Sequence, residues 1–334
     1  MILSNTETYL VTGAPGWLGN RLVETMRNQN LKTKCLVLNG MKTDHLVKLG
    51  ATIIYGNVID YETLLPATKG VDKVIHAVGV IHPKKASDFY QINTKGTENM
   101  LKASSENKVK KFLYISSNSA QGYNLDRRIP MTEEGPDRPY TDYGKSKWNA
   151  EQIVKKFQNE NMLQTVILRP CWFYGPGPGQ IMTELINYIK KGRPPIFGSG
   201  QNLRTMSYID NTVNAILLAI NSEKTNGQTY WIGDEKSYKL IDVYNEIARQ
   251  LDVKIEPRHI PRLVCQLAEK IDIFLGKLGK YHKHLHVCGE TGHDIWCDTS
   301  KAKKDFGYEP KISLPEGIKL TIASCIELGL IDEK

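Results

Sequence analysis

Short apolar runs alternate with helical periodicities along the first half of the chain. Tyr9-Leu10-Val11, Cys35–Leu38, Ile53-Ile54-Tyr55, Val74–Val78, Phe112–Ile115 and Thr165–Leu168 have strand length, and turn or polar residues follow several of them. Between them Leu18, Leu22, Val23 and Met26 recur at helical spacing, and Asn93–Ser104 and Lys145–Phe157 read as helices. Strands that are apolar on both faces, alternating with helices, predict an α/β protein built on a doubly wound parallel sheet. In such sheets ligands bind beyond the carboxyl ends of the strands. The polar motifs of this chain fall there.

The pattern changes in the second half. Leu263, Val264, Leu267, Ala268, Ile271, Phe274, Leu275 and Leu278 predict a helix that closes a smaller C-terminal substrate domain. A helix lying on a membrane surface is the alternative, given Lys270, Lys277 and Lys280. The stretch Tyr281–Cys288 alternates His with other residues, which on a strand would place the imidazoles on one face. Its spacing, with His293 and Cys297 following, matches no zinc framework, so no metal site is expected. The expected organisation is a cofactor-binding domain over residues 1–170 with a returning segment near 205–232, and a substrate-binding domain from 171–204 and 233–334.

Length and charge narrow the class. At 334 residues with 40% hydrophobic content, the chain can bury a large core. The formal net charge of +8 is spread along the chain and forms no nucleic-acid stripe. Six scattered cysteines fit reduced thiols. The first strand begins within about ten residues, and no apolar run has membrane-spanning length, so a soluble cytoplasmic protein without a membrane span is expected.

The chemistry begins at Thr12-Gly13-Ala14-Pro15-Gly16-Trp17-Leu18-Gly19, between the first strand and the first helix. Glycines there permit a tight turn and let backbone amides approach a pyrophosphate, while the helix N-terminus favours the anion. The spacing is Gly-x-x-Gly-x-x-Gly and not Gly-x-Gly-x-x-Gly. At the end of the second strand, where an acid would favour NAD and a base NADP, the chain has Asn39 with Lys42 nearby, which leaves the choice of NAD or NADP open. Ser116-Ser117-Asn118-Ser119 follows the fourth of the runs after the first. Further on, Tyr143 and Lys147 stand four apart at a helix start and share a face. A phenol is normally protonated to about pH 10, and a nearby ammonium favours its phenolate. Tyr143 is therefore expected to move a proton to or from a substrate oxygen that Ser117 holds, while hydride moves on a nicotinamide.

These residues resemble the extended short-chain dehydrogenase/reductase family, which includes NAD-dependent epimerase/dehydratases. The likeness extends over nearly the whole chain and implies a Rossmann-like fold. It implies that Gly13, Gly16, Trp17, Leu18, Gly19, Asn39, Asn57, Val58, Ala77, Asn93, Tyr143, Lys147 and Pro170 contact the cofactor. Ser117, Tyr143 and Lys147 take the place of the catalytic set, with Ser116 and Asn118 as near alternatives to Ser117. Ser117, Trp172 and Arg204 are implied to touch substrate, Arg204 by gripping a diphosphate. The family likeness also implies a homodimer. The function it implies is that of a 4-epimerase or keto-reductase acting on a nucleotide-sugar hydroxyl or ketone. Two departures weaken that substrate: Trp172 stands where sugar-nucleotide members commonly have Asn, and Cys288 lies near the place of a second phosphate-binding Arg. Val74–Val80 and Asn202-Leu203 also resemble the 3β-hydroxysteroid dehydrogenase and dihydroflavonol reductase branch, whose substrates are more apolar. A catalytically silent NAD(P)-binding regulatory protein is the reading from another class.

Overall fold

The computed structural model describes residues 6–332; the outermost residues of the two expected domains, 1–5 and 333–334, lie outside them. The first part of the chain runs β1 (Thr8–Thr12), α1 (Trp17–Asn28), β2 (Lys32–Val37), α2 (Asp44–Lys48), β3 (Thr52–Tyr55), α3 (Leu64–Thr68) and β4 (Lys73–His76). A π-helical stretch, Phe89–Lys95, then leads into α4 (Gly96–Glu106). It is followed by β5 (Lys111–Ile115), α5 (Asp142–Asn159) and β6 (Gln164–Pro170). The later elements are β7 (Trp172–Tyr174), α6 (Gln180–Lys190), β8 (Pro195–Phe197), β9 (Leu203–Tyr208), α7 (Ile209–Ile220), β10 (Gln228–Ile232), β11 (Ser237–Lys239) and α8 (Leu240–Leu251). Last come β12 (Arg258–Ile260), α9 (Arg262–Lys277), α10 (Lys283–Thr291), α11 (Ser300–Phe306) and α12 (Leu314–Glu327).

The main sheet has seven strands in the order β10-β6-β5-β4-β1-β2-β3. All of its pairings are parallel. Alternation along each strand sends side chains to opposite faces. Tyr9 and Val11 of β1 join Leu22, Val23 and Met26 of α1 and Val213 and Ile216 of α7 in one core. Leu10 points the other way, into a core with Met100 and Leu101 of α4 and Val154 and Phe157 of α5. Burial on both faces explains why these strands read as continuous apolar runs. The strand order reverses between β1 and β4, which opens the ligand crevice at their carboxyl ends.

A further core, beyond the two on the faces of the sheet, belongs to the smaller part of the chain. Tyr174, Met182, Ile186, Met206 and Tyr208 pack there with Val243 and Ile247 of α8 and Ile318 and Ile322 of α12. The chain crosses between the sheet and this further core after β6, between β9 and α7, after β10, again between α8 and α11, and once more between Tyr308 and α12. One hydroxyl gathers the first three: Cys171 N donates to Ser207 Oγ at 2.8 Å, and Ser207 Oγ donates to the Ile232 carbonyl at 2.9 Å. Beside them Asp234 N donates to the Met206 carbonyl at 2.7 Å. The C-terminal part leaves this further core and returns to it, since Ala302 and Tyr308 join the core of Tyr9 and Val11 while α12 packs again with α8.

Two helical regions differ from the sequence reading in form or direction. The His-rich stretch is not a strand, because its larger part is the helix α10. Its histidines therefore spread around an axis: His286 pairs with Asp272 at 3.0 Å, and His282 and His284 are exposed. The helix predicted over Leu263–Leu278 forms as α9, but much of its apolar stripe faces outward.

Asp234 is buried at the crossing after β10 and accepts the Tyr174 hydroxyl at 2.8 Å. Burial pushes its carboxyl up to about 7, although bonds from Tyr174, Tyr208 and Tyr238 pull it down. A carboxyl raised on folding contributes stability that is fully present below its unfolded value, about 3.9, and is lost as pH rises through about 7. Urea denaturation across pH 4–8 should therefore show stability falling more steeply in the native protein than in Asp234→Asn, with the two slopes differing most between pH 4 and 7.

Candidate active site

Two cavities meet at the carboxyl edge of the main sheet. The first, about 460 Å³, is lined by Gly13–Gly19, Leu36, Leu38, Met41, Gly56–Val58, Ala77–Gly79, Ile92, Ile115 and Lys147. The second, about 310 Å³, is lined by Ser116–Ser119, Pro170–Phe173, Gly179–Met182, Leu185, His286, Val287 and Glu290. Trp17, Ile81, Ser116, Tyr143 and Phe173 border both.

The glycine loop is shaped by close approach. A Cβ on Gly13, whose φ is +90°, would lie 2.7 Å from the Ala77 carbonyl group. On Gly16 it would meet the Gly13 carbonyl oxygen at 2.7 Å, and on Gly19 it would meet the same oxygen at 2.6 Å. Only glycines let the loop fold back on itself and lie against the end of β4. Gly16 caps α1 without a side chain, and the first turn of α1 carries no acid. Backbone amides and the helix dipole there suit a pyrophosphate. The cavity, its glycine floor and this helix start fit a bound dinucleotide. Neither Asn39, which is exposed, nor Asn93 is part of the cavity wall. Asn93 instead fixes the wall from behind: its side chain bonds both the N–H and the carbonyl of Val80 and donates to Ser146 Oγ. Pro170 borders the second cavity and not the first.

His76 was not singled out by the sequence reading. It is fully buried, with Nδ1 2.8 Å from Thr12 Oγ1 and Nε2 3.1 Å from Thr97 Oγ1. Burial first, and then the charge of Lys147, lowers its pKa to about 3. A neutral imidazole thus joins the ends of β1 and β4 to α4 beneath the loop.

The catalytic candidates converge where the cavities meet. Thr141 caps α5 by accepting the Gly144 N–H at 3.1 Å, which sets the first turn bearing Tyr143 and Lys147. Lys147 Nζ donates to the Ile115 carbonyl at 2.7 Å and lies 4.5 Å from the Tyr114 ring centre. The sequence reading expected Lys147 to draw the Tyr143 phenol down. Instead burial pushes that phenol up to about 12, with Ser117 acting in the opposite direction and Glu290 in the same one. Burial likewise brings Lys147 down to about 7. Each group loses solvation as an ion, and that loss dominates in this site.

Ser116 Oγ donates to Glu151 at 2.5 Å and is committed to a buried network. There Glu151 holds Arg169 by two bonds, of 2.9 and 2.5 Å, and Arg169 also reaches Asp137 at 2.9 Å. Ser117 Oγ accepts the Ser119 N–H at 3.2 Å and borders the second cavity. Trp172 forms part of the same wall, but Arg204 does not. Arg204 is buried behind Trp172, its guanidinium 5.0 Å from that ring, and donates to the Glu290 carbonyl at 2.6 Å. Its Nε has no hydrogen-bond partner among the described residues. The wall also holds polar groups that the sequence reading did not place at the site: His82, Gln180, His286 and Glu290. Glu290 accepts from Asn118 Nδ2 at 3.3 Å. His286 and Glu290 are four apart, so reading the His-rich stretch as a helix would have placed them on one face.

Residues 9–233 match the family described as the NAD dependent epimerase/dehydratase family. An uncharacterized protein of Sinorhizobium fredii, y4nL, is 34% identical, covering 98% of this chain and 98% of its own. UDP-glucose 4-epimerase of Vibrio cholerae is 27% identical over 96% of each chain. The 3beta-hydroxysteroid-dehydrogenase/decarboxylase isoform 1 of Arabidopsis thaliana is 27% identical over 97% of this chain and 81% of its own. Among solved structures, UDP-glucose 4-epimerase of Thermotoga maritima with UDP-glucose superposes with a TM-score of 0.78 at 23% identity. That match covers 96% of this chain and 99% of the other.

Gly16→Ala should weaken NAD(P)H binding by about tenfold or more, a loss of about 1.4 kcal/mol. Fluorescence titration would measure it, with circular dichroism checking that the fold persists. Affinity equal to that of the unaltered protein would show that the loop does not cradle the cofactor.

Proposed function

The chain belongs to the NAD dependent epimerase/dehydratase family, and from that premise we propose that it oxidises or reduces a secondary alcohol or ketone carried on a largely apolar body. The observation that carries this reading is the wall of the second cavity. Trp17, Trp172, Phe173, Ile181, Met182 and Leu185 supply most of its body, while Arg204 is withheld behind Trp172. Among the described residues a diphosphate would find no guanidinium in that wall, and its charge would face the Glu290 carboxylate.

A bound nicotinamide supplies the hydride acceptor or donor. Tyr143, bordering both cavities, gives the proton to a carbonyl oxygen or takes it from a hydroxyl. Ser117 holds the same oxygen by a hydrogen bond. Lys147, its Nζ anchored on the Ile115 carbonyl, borders the first cavity together with Tyr143 and can offer its remaining N–H groups to the cofactor. Glu290 accepts a hydrogen bond from a second polar group of the substrate. A nucleotide-sugar 4-epimerase is the second reading, favoured by the likeness to the Vibrio cholerae enzyme along almost the full length of both chains.

Assays of NAD(P)H at 340 nm with 3β-hydroxysteroids and long-chain hydroxy or keto compounds should show turnover. Interconversion of UDP-glucose and UDP-galactose without any such turnover would establish the second reading instead. Trp172→Ala should raise the KM for an apolar substrate about tenfold or more while leaving cofactor affinity in place. Tyr143→Phe should lower turnover by about 10²–10⁴-fold at unchanged cofactor affinity. With the phenol up at about 12, the proton-donating form prevails at pH 7, so reduction should proceed there and oxidation should gain as pH rises. Measuring both directions from pH 6 to 10 checks the sign.

A further inference from the structure

An amphipathic helix ordinarily buries its apolar stripe. In α9 much of that stripe is turned outward. Leu263, Leu267, Ile271 and Phe274, with Leu278 just beyond, follow one another at intervals of three or four and are exposed. Leu263 is 72% exposed, Leu267 57% and Phe274 60%. The inward side carries small and acidic residues along with the half-buried Ile273 and Leu275. Cys265 and Ala268 are buried. Glu269 pairs with His293 at 2.5 Å and Asp272 with His286 at 3.0 Å, so both acids of the helix are spent on the protein. A Cβ on Gly276 would collide with the Asp142 carboxylate, and one on Gly289 of α10 would press on the Glu269 backbone. The orientation of α9 is thus fixed by contacts on its polar side.

What remains outside is apolar and basic. Arg262 lies at the start of the helix, Lys270 within it, and Lys277 and Lys280 at its end, all exposed. The loop before the π-helical stretch adds exposed Lys84 and Lys85, and Ala86 N donates to the Gly279 carbonyl at 3.2 Å. In the same loop Ile81, 52% exposed, borders both active-site cavities. His82 of the second cavity bonds the Tyr281 hydroxyl at 2.6 Å. No helix of the described residues is long and apolar enough to cross a membrane.

We infer that α9 is a membrane-docking helix that lays Leu263, Leu267, Ile271, Phe274 and Leu278 into an anionic lipid surface, with the surrounding lysines on the headgroups. A helix in this position buries its apolar side about 5–10 Å into the boundary between headgroups and acyl chains. Negative lipid charge favours each nearby basic residue by roughly fivefold in partitioning. Docking brings Ile81, on the rim of both cavities, close to the bilayer, which gives an apolar substrate a route that avoids bulk water. The docking stands whichever substrate the site accepts, because its residues lie outside the two cavities that hold the chemistry.

Flotation of the full chain with vesicles tests it. Vesicles of phosphatidylglycerol and phosphatidylcholine should carry at least about tenfold more protein than phosphatidylcholine alone, and 0.5 M salt should reduce the difference. Leu267→Glu combined with Phe274→Glu should abolish flotation while leaving the melting temperature and NAD(P)H affinity as in the unaltered protein. Absence of flotation on anionic vesicles would overturn the inference. So would flotation that survives in the double variant. A chain that is dimeric in solution and becomes monomeric in the double variant, with no flotation in either form, would assign the helix face to a second copy of the chain. Substrate specificity is not read out by any of these measurements, so their failure is distinct from failure of the proposed reaction.

Discussion

The buried pair of Arg169 and Glu151 holds the active-site side of the sheet together. Arg169 on β6 and Glu151 on α5 are almost fully removed from water. Ser116, just beyond β5, donates to the same carboxylate, and Asp137 meets the guanidinium from the segment before α5. The Trp231 ring on β10 lies 5.7 Å from the guanidinium carbon. Each ion has lost its hydration, so each depends on the other; removing one partner of such a pair commonly costs about 3–5 kcal/mol. The geometric result matters as much as the energy. A single charge cluster fixes the helix that carries Tyr143 and Lys147 relative to the strand end that carries Ser117.

That scaffold holds groups whose proton affinities are set by exclusion of water more than by one another. The phenol of Tyr143 and the ammonium of Lys147 are both pushed toward their neutral forms by burial. His76 is pushed the same way beneath the glycine loop. The cofactor side of the site is therefore built from backbone and from groups whose charged forms burial disfavours. Among the described residues, the substrate cavity wall carries the carboxylate of Glu290, from α10. Polarity is divided between the two cavities, with Tyr143 at their boundary.

Much of this architecture was legible in the residues. Strands buried on two faces announce themselves as apolar runs, and the glycine spacing marks the place where backbone must touch backbone. Tyr143 and Lys147 were visible because a helix places residues four apart on one face. Contacts from distant parts of the chain were not visible. Nothing local says that Arg204 is covered by Trp172 or that His76 bridges two threonines. The periodicity of α9 is the same whether its stripe faces in or out. Its direction is decided by Gly276 against Asp142 and by two acid–histidine pairs. The His-rich segment misled because alternation on a strand and a mixed helical face share many positions over eight residues.

The hydroxyl of Ser207 has a mechanical consequence. Three of the five chain crossings between the sheet and the smaller core meet there: that hydroxyl accepts from one and donates to another while its own backbone forms part of the third. A body tethered at one point can swing freely, whereas one tethered at three adjacent points can only tilt about them. The smaller core thus has a pivot rather than a linker. A single nick at one of these crossings leaves the others in place, and the two cavities stay registered as long as the bonds at that serine hold.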